Sequence, residues 1–260
     1  MSYQHITYEL QGQVALIRFN DPQTLNAVSM DMGHEFANAL HRAEREARAI
    51  VLGSHGRAFC SGANLSDRGM TITDPHRDTG YSLETLFNPL IQHVRGLSIP
   101  FITAVRGAAA GVGCAFALSG DLVVAGESAY FFQAFCKIGL VPDGGSSYFL
   151  TRTIGRVRAM EMMMLGDRLP AAKALDWGLI NRVVADEEVE KVALELAAQL
   201  ANGPRSLGLI RRMAWAAVDN SLTEQLDMER WYQQMAGRSD DFAEGVTAFL
   251  EKRPAKFQGK

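Results

Sequence analysis

Apolar residues fall into two kinds of run along this chain. Short unbroken runs rich in β-branched and aromatic residues read as strands: Ile6–Leu10, Val14–Phe19, Ala49–Gly53, Phe101–Val105, 121–125 and Ile180–Val184. The first two form a hairpin across Gln11-Gly12-Gln13, ended by Asn20-Asp21-Pro22. Elsewhere apolar residues recur at helical spacing. Met32, Phe36, Leu40 and Ala43 follow a Ser29 start and leave His41, Arg42, Glu44 and Arg45 facing outward. Ser82 to Leu97 is a second helical stretch, kinked or restarted at Pro89. Further helices are expected over 144–154, 156–165 and 171–176, the last stopped by Trp177-Gly178, while 66–80 reads as a mobile or irregular polar loop. After Asp186 strand signals cease. Val189, Val192, Leu196 and Leu200 form one stripe, Pro204 opens a helix with Leu207, Ile210, Met213 and Val218, and helices follow over Leu222–Met235 and Asp240–Arg253. The fold class is therefore α/β, with a core over 1–200 and a helical C-terminal region over 201–260.

The segment Phe101–Ser147 holds the most unusual pattern. A buried strand, Phe101–Val105, runs into Arg106-Gly107 and then Ala108-Ala-Ala-Gly-Val-Gly-Cys-Ala-Phe-Ala-Leu118, where small residues allow close backbone approach and Gly111 and Gly113 shape a turn before a buried helix. The start of such a helix offers unpaired N–H groups to an anion. A second turn of this kind, Ile138-Gly-Leu-Val-Pro-Asp-Gly-Gly-Ser-Ser147, carries a carboxylate, Asp143. The simplest reading of Asp143 is a helix N-cap.

With 260 residues and 47% apolar content the chain can bury one sizeable core. A net charge of −3 and no basic face argue against nucleic acid. No signal sequence or run of about 20 apolar residues is evident, so a soluble cytoplasmic protein that does not enter membranes is expected. Cys60, Cys114 and Cys136 read as reduced core thiols.

Several chemistries fall away. All six histidines precede residue 94 and none has close metal-ligand spacing, so no metal is expected. Gly111-Val-Gly113 is not followed by the third glycine of a dinucleotide fingerprint, since Phe116 stands there. There is no G-x-S-x-G, and Ser146 and Ser147 have no evident histidine partner. What remains is one carboxylate and two donor-rich turns, 58–65 and 106–114. Two backbone donors around a thioester carbonyl suit an enolate, because their bonds strengthen as charge moves onto oxygen.

Over nearly its full length the chain resembles the enoyl-CoA hydratase/isomerase, or crotonase, superfamily. Asn20-Asp-Pro-Gln-Thr-Leu-Asn-Ala27 is similar to the family's early CoA-contacting turn, which implies Gln23, Leu25 and Ala27 as CoA contacts. Ala58-Phe-Cys-Ser-Gly-Ala-Asn-Leu65 resembles its first oxyanion loop, with the donor on Ala63 and with Ser61, Asn64 and Leu65 beside the ligand; Asn64 stands where many relatives have Asp. Residues 100–114 resemble the second loop, with the donor on Val112 after Gly111. The closing 248–259 segment resembles the family's C-terminal helix and tail, which implies Lys256 and Phe257 as phosphate and adenine contacts. The resemblance implies a crotonase (ClpP-like) spiral of ββα units with a helical trimerisation region, and a homotrimer or hexamer. That assembly also suits the apolar Leu209, Met213, Trp215, Leu226 and Trp231.

Hydratases of the family carry two glutamates, and the matching positions here are Ala115 and Phe135. Asp143, directly after Pro142, resembles instead the acid of the family's double-bond isomerases, and the 133–147 run is similar to the ring isomerase of phenylacetate breakdown. The expected catalytic set is thus Asp143 with the amides of Ala63 and Val112. Asp143 moves the proton, and Phe135, Leu140 and Val141 raise its pKa and exclude water. The substrate is an acyl-CoA thioester; no further cofactor is needed, since coenzyme A is part of the substrate. A hydratase and a catalytically quiet acyl-CoA binder are the alternatives, and Asp67, Asp74, Asp78 and Glu84 are the substitute acids.

Overall fold

The computed structural model describes residues 3–65 and 73–260. Expectations for residues 66–72, including Asp67, fall outside it. A six-stranded sheet is built in the order β1 (Ile6–Gln11), β2 (Val14–Phe19), β3 (Ala49–Ser54), β4 (Phe101–Val105), β6 (Leu122–Gly126), β9 (Arg182–Val184), all parallel except for β1 against β2. A small sheet runs β5 (Ala108–Ala110), β7 (Tyr130–Phe132), β8 (Arg168–Pro170).

The inner strands β2, β3, β4 and β6 are buried on both faces, which explains why they are almost continuously apolar, whereas the edge strands β1 and β9 are partly exposed. Alternate residues serve different cores. Ala15, Ile17, Phe19, Ile50, Leu52, Phe101 and Val105 join one cluster, while Val14, Leu16, Ala49, Val51, Ile102 and Ala104 join the other. The second cluster is closed by α6 (Val189–Ala201), through Val189, Ala193, Ala197 and Ala201. This corrects the stripe expected over Val192, Leu196 and Leu200, which is only partly buried. Alanine lets the helix lie close to the sheet, so the small residues face inward.

The chain spirals in ββα turns. β4 in the large sheet leads to β5 in the small one and then α3 (Val112–Leu118); β6 leads to β7 and then α4 (Ser146–Leu165). In the preceding turn Cys60 bridges to Ala109 in place of a full second strand, before α2 (Asn88–Gly96). β5 and β8 were not foreseen, because three alanines and Arg168-Leu169-Pro170 have little strand propensity. Pairing with β7 imposes the conformation on both.

Other boundaries agree closely with the pattern. Ser29 caps α1 (Met30–Glu46) by accepting from the Met32 amide. Pro89 lies in the first turn of α2, after a π-helical turn at Leu83–Phe87. α4 breaks at Gly155 (φ 78°), between the two helices that were expected, and α5 (Ala171–Asp176) stops before Trp177. One departure lies in the cysteines. Cys60 and Cys114 are buried, their thiols pushed up to about 12 by burial, but Cys136 is exposed.

Three C-terminal helices follow, α7 (Ser206–Ala216), α8 (Leu222–Ala236) and α9 (Asp240–Leu250), of which α7 docks through Asp121. Its carboxylate accepts from the Phe101 amide, from Arg211 Nε at 2.7 Å and from Trp215 Nε1 at 3.0 Å. Buried Arg211 also donates to the carbonyls of Val94, Arg95 and Leu97 at the end of α2. Trp215 is therefore an internal anchor, not the free apolar surface expected of it. Asp121→Asn should lower stability by about 2 kcal/mol by removing a charged partner from buried Arg211. An unchanged urea midpoint would show that the carbonyls alone hold the guanidinium. Among the described residues, no helix is long and apolar enough to cross a membrane.

Candidate functional site

The early turn is set by Asn26. Its buried side chain donates to the carbonyls of His55 and Ala58 and accepts from the Asp21 amide, all at 2.8 Å. Leu25 and Asn26 both take left-handed backbone angles (φ 57° and 58°), a conformation that these side-chain bonds hold in place. The turn lies against the first donor loop. The Ser61 amide donates to Leu25 O, the Ser61 hydroxyl to Thr24 O, and Val28 pairs with Ala63 through Val28 N to Gly62 O and Asn64 N to Val28 O. Leu25, Ala27, Ser61, Ala63 and Asn64 thus share one small region.

The two donor loops run side by side. Cys60 N donates to Ala108 O and Ala110 N to Cys60 O, both at 2.9 Å. Glycine is required where they meet. A Cβ on Gly107 would lie 2.1 Å from Arg57 O, and one on Gly113 2.6 Å from Cys60 Sγ. Gly113 lies within α3, not in the turn where it was expected; it admits Cys60. The turn is made by Gly111 (φ 53°, ψ −129°) at the N-cap, one residue before Val112. The Val112 amide is the first of the helix and has no intrahelical acceptor, and α3 directs its positive end the same way. The Ala63 amide makes no backbone bond among the described residues. A Cβ on Gly62 would lie 4.0 Å from the Gly111 Cα and one on Gly111 3.7 Å from the Gly62 Cα, so the two loops pass close together just before Ala63 and Val112.

Asp143 arrives on a third segment. A Cβ on the next residue, Gly144 (φ 60°), would meet Val112 Cγ2 at 2.9 Å and Ala115 Cβ at 3.0 Å. The Asp143 turn is thereby packed on the first turn of α3, against Val112 and Ala115. The Asp143 side chain is half-buried, with Oδ1 shielded from solvent. Phe135 is 8% exposed and its ring edge would touch a Cβ on Gly111 at 3.6 Å, so it packs beside the residue that precedes Val112.

Two expectations for Asp143 require correction. The N-cap of α4 is Gly145, with no side-chain cap, so Asp143 precedes the cap, and its backbone carbonyl accepts from Ser146 N. Val141 is 79% exposed and does not shield the carboxylate, because the segment after Gly139 crosses the surface. Phe135 and half-buried Leu140 remain as its apolar neighbours in sequence.

Other expected residues lie further out. Gln23 is exposed on a 3-10 turn and Leu65 is 58% exposed. Phe257 packs against Gly245 of α9, and the Lys256 amide donates to Glu244 while the Gln258 and Gly259 amides donate to Asp241. The tail is clasped to its own α9, and these contacts do not join it to the donor loops. Among the substitute acids, Asp74 and Asp78 accept from the turn amides of His76 and Gly80, and Glu84 is exposed.

Sequence reading missed Asn26, whose only signal is its place in the turn motif. It also missed the burial of Ser146 directly behind the Asp143 turn, where the hydroxyl finds no partner among the described residues. Metal-ligating side chains converge elsewhere, on the α1–α2 surface, where His41, Glu44 and His93 bring donor atoms within 4.8 Å of one another. No sequence spacing signals that group.

A family model described as enoyl-CoA hydratase/isomerase matches residues 9–260. The chain is 43% identical over 258 residues to the 1,2-epoxyphenylacetyl-CoA isomerase of Escherichia coli K12, covering 98% of each. It is 42% identical over 265 residues to a Rhodobacter capsulatus protein named probable enoyl-CoA hydratase, covering 100% of both. The crystal structure of an enoyl-CoA hydratase from Polaromonas superposes with a TM-score of 0.90 at 32% identity, over 97% of this chain and 99% of that one.

Proposed function

The chain belongs to the enoyl-CoA hydratase/isomerase family, and from that premise we propose that it shifts a double bond in an enoyl-CoA, with Asp143 as the only acid. The observation that carries this reading is the packing of the Asp143 turn on Val112 and Ala115. It supports a carboxylate-bearing turn close to the start of α3, and the family resemblance implies that Ala115 and Phe135 stand where the family's hydratases carry glutamates. Asp143 removes a proton from the carbon between thioester carbonyl and alkene, the amides of Ala63 and Val112 take the enolate oxygen, and protonated Asp143 returns the proton two carbons along. Donors that are backbone groups in a folded loop need no reorganisation as charge develops. Leu25, Ala27, Ser61, Asn64, Leu65, Gly111 and Phe135 are the proposed contacts to the acyl-CoA, Gln23 and Lys256 reach its exposed end, and Phe257 is proposed as the adenine contact. No separate cofactor is required, and a cytoplasmic location belongs to the same proposal.

The test is turnover with a 3-enoyl-CoA, a 2-enoyl-CoA and, because of the similarity to the epoxide isomerase, 1,2-epoxyphenylacetyl-CoA. Isomerisation of the first or third without hydration of the second is expected. Faster hydration of the 2-enoyl-CoA would overturn the reading in favour of a hydratase, and silence with all three alongside tight CoA binding would mark a quiet binder.

We also propose assembly as a homotrimer or hexamer. Leu222, Leu226, Trp231, Phe242, Phe249 and Leu250 of α8 and α9 are each more than half exposed, more contiguous apolar surface than a monomer normally leaves in water. Light scattering should give a mass of three or six chains; a strict monomer would contradict this.

A further inference from the structure

We propose that His41, Glu44 and His93 form a surface site for a borderline divalent ion, zinc in particular, that clips α1 to α2. His41 and Glu44 are three residues apart on α1 and so share a face, and His93 reaches them from α2. His93 Nε2 lies 3.1 Å from Glu44 Oε2, the two imidazoles stack at 4.1 Å between centroids, and one donor atom from each of the three residues lies within 4.8 Å of the others. Ligand atoms around a tetrahedral zinc lie about 3.3 Å apart, so the His93–Glu44 pair already has the required spacing and rotamer changes must draw in the rest. Two imidazoles with one carboxylate favour zinc, nickel or copper over magnesium or calcium.

The carboxylate is already held for this role. Glu44 Oε1 accepts from the Ser98 amide at 3.2 Å and hydroxyl at 3.1 Å, leaving Oε2 toward the histidines. Such outer partners are how metal-binding carboxylates are normally oriented. Nearby cations are in part matched, since Arg42 pairs with Glu46 and Arg95 with Asp219. His41 is exposed and Glu44 and His93 are half-buried, so an ion can enter and water can supply a fourth ligand. The site is structural: it ties two helices and takes no part in the proton transfer proposed above.

The test uses the full chain without an affinity tag, stripped with chelator, in a Cys136→Ser background that removes the exposed thiol. Titration with Co2+ should give visible absorption of a four-coordinate ion at one equivalent per chain, displaced by Zn2+. His93→Gln and His41→Gln should each weaken binding at least about 100-fold, and Ser98→Ala about 10-fold. Zn2+ should raise the melting temperature of the parent and not of His93→Gln. Circular dichroism of the chelated variants should match the parent. Absence of stoichiometric binding, or binding that survives both histidine changes, would overturn the proposal, as would a thermal shift equal in parent and variants.

Discussion

Asp143→Asn is expected to reduce isomerisation of the preferred substrate by about 100-fold to 10,000-fold, the range that general acid–base catalysis supplies, with acyl-CoA affinity nearly intact. Two points separate these effects. The proposed thioester donors are the amides of Ala63 and Val112, which the substitution does not touch, so binding is expected to survive. Asp143 is not the cap of α4, a place taken by Gly145, so an isosteric amide costs little folding stability. Steady-state kinetics should therefore show a fall in kcat with a small change in KM. Unchanged turnover in a folded Asp143→Asn protein would remove the carboxylate from the mechanism.

Val112→Pro is the second large effect. Val112 is the first residue of α3, a position at which proline is well tolerated because its missing N–H has no intrahelical acceptor. Gly111 before it also tolerates the restriction that proline places on its neighbour. The substitution deletes one oxyanion donor from a helix that can still form, and turnover should fall by about 100-fold to 1,000-fold. Some stability is lost with the valine methyls that pack beside Gly144, so thermal unfolding must be measured together with kinetics. Near-normal kcat in a folded variant would show that the Val112 amide does not bind the oxyanion.

How far the sequence discloses this molecule depends on the range of the interaction that fixes each part. The inner strands of the large sheet were legible because burial on both faces makes them almost continuously apolar, and α1 because Ser29 caps it and its apolar residues recur every turn. The small sheet was not, because Ala108–Ala110 is a strand only through its partners in β7 and at Cys60. The donor loops were legible as clusters of small residues, yet Gly113 was misplaced, since its purpose is to admit a side chain 53 positions away in the chain. Asp143 stood out as a carboxylate in a glycine turn. Its packing on α3, and the outward turn of Val141, are tertiary facts that no local pattern encodes. The same holds for Arg211 on Asp121 and for His93 on Glu44, pairs separated by 90 and 49 residues.

The most direct measurement for a single shielded acid is to follow the label of a 3-enoyl-CoA carrying deuterium on the carbon beside the thioester carbonyl. Asp143 acting alone predicts a product of unchanged mass class, a 2-enoyl-CoA, with part of the deuterium carried two carbons along by the same carboxyl group. A product heavier by one water, or complete loss of deuterium to solvent with none at the new position, would contradict it.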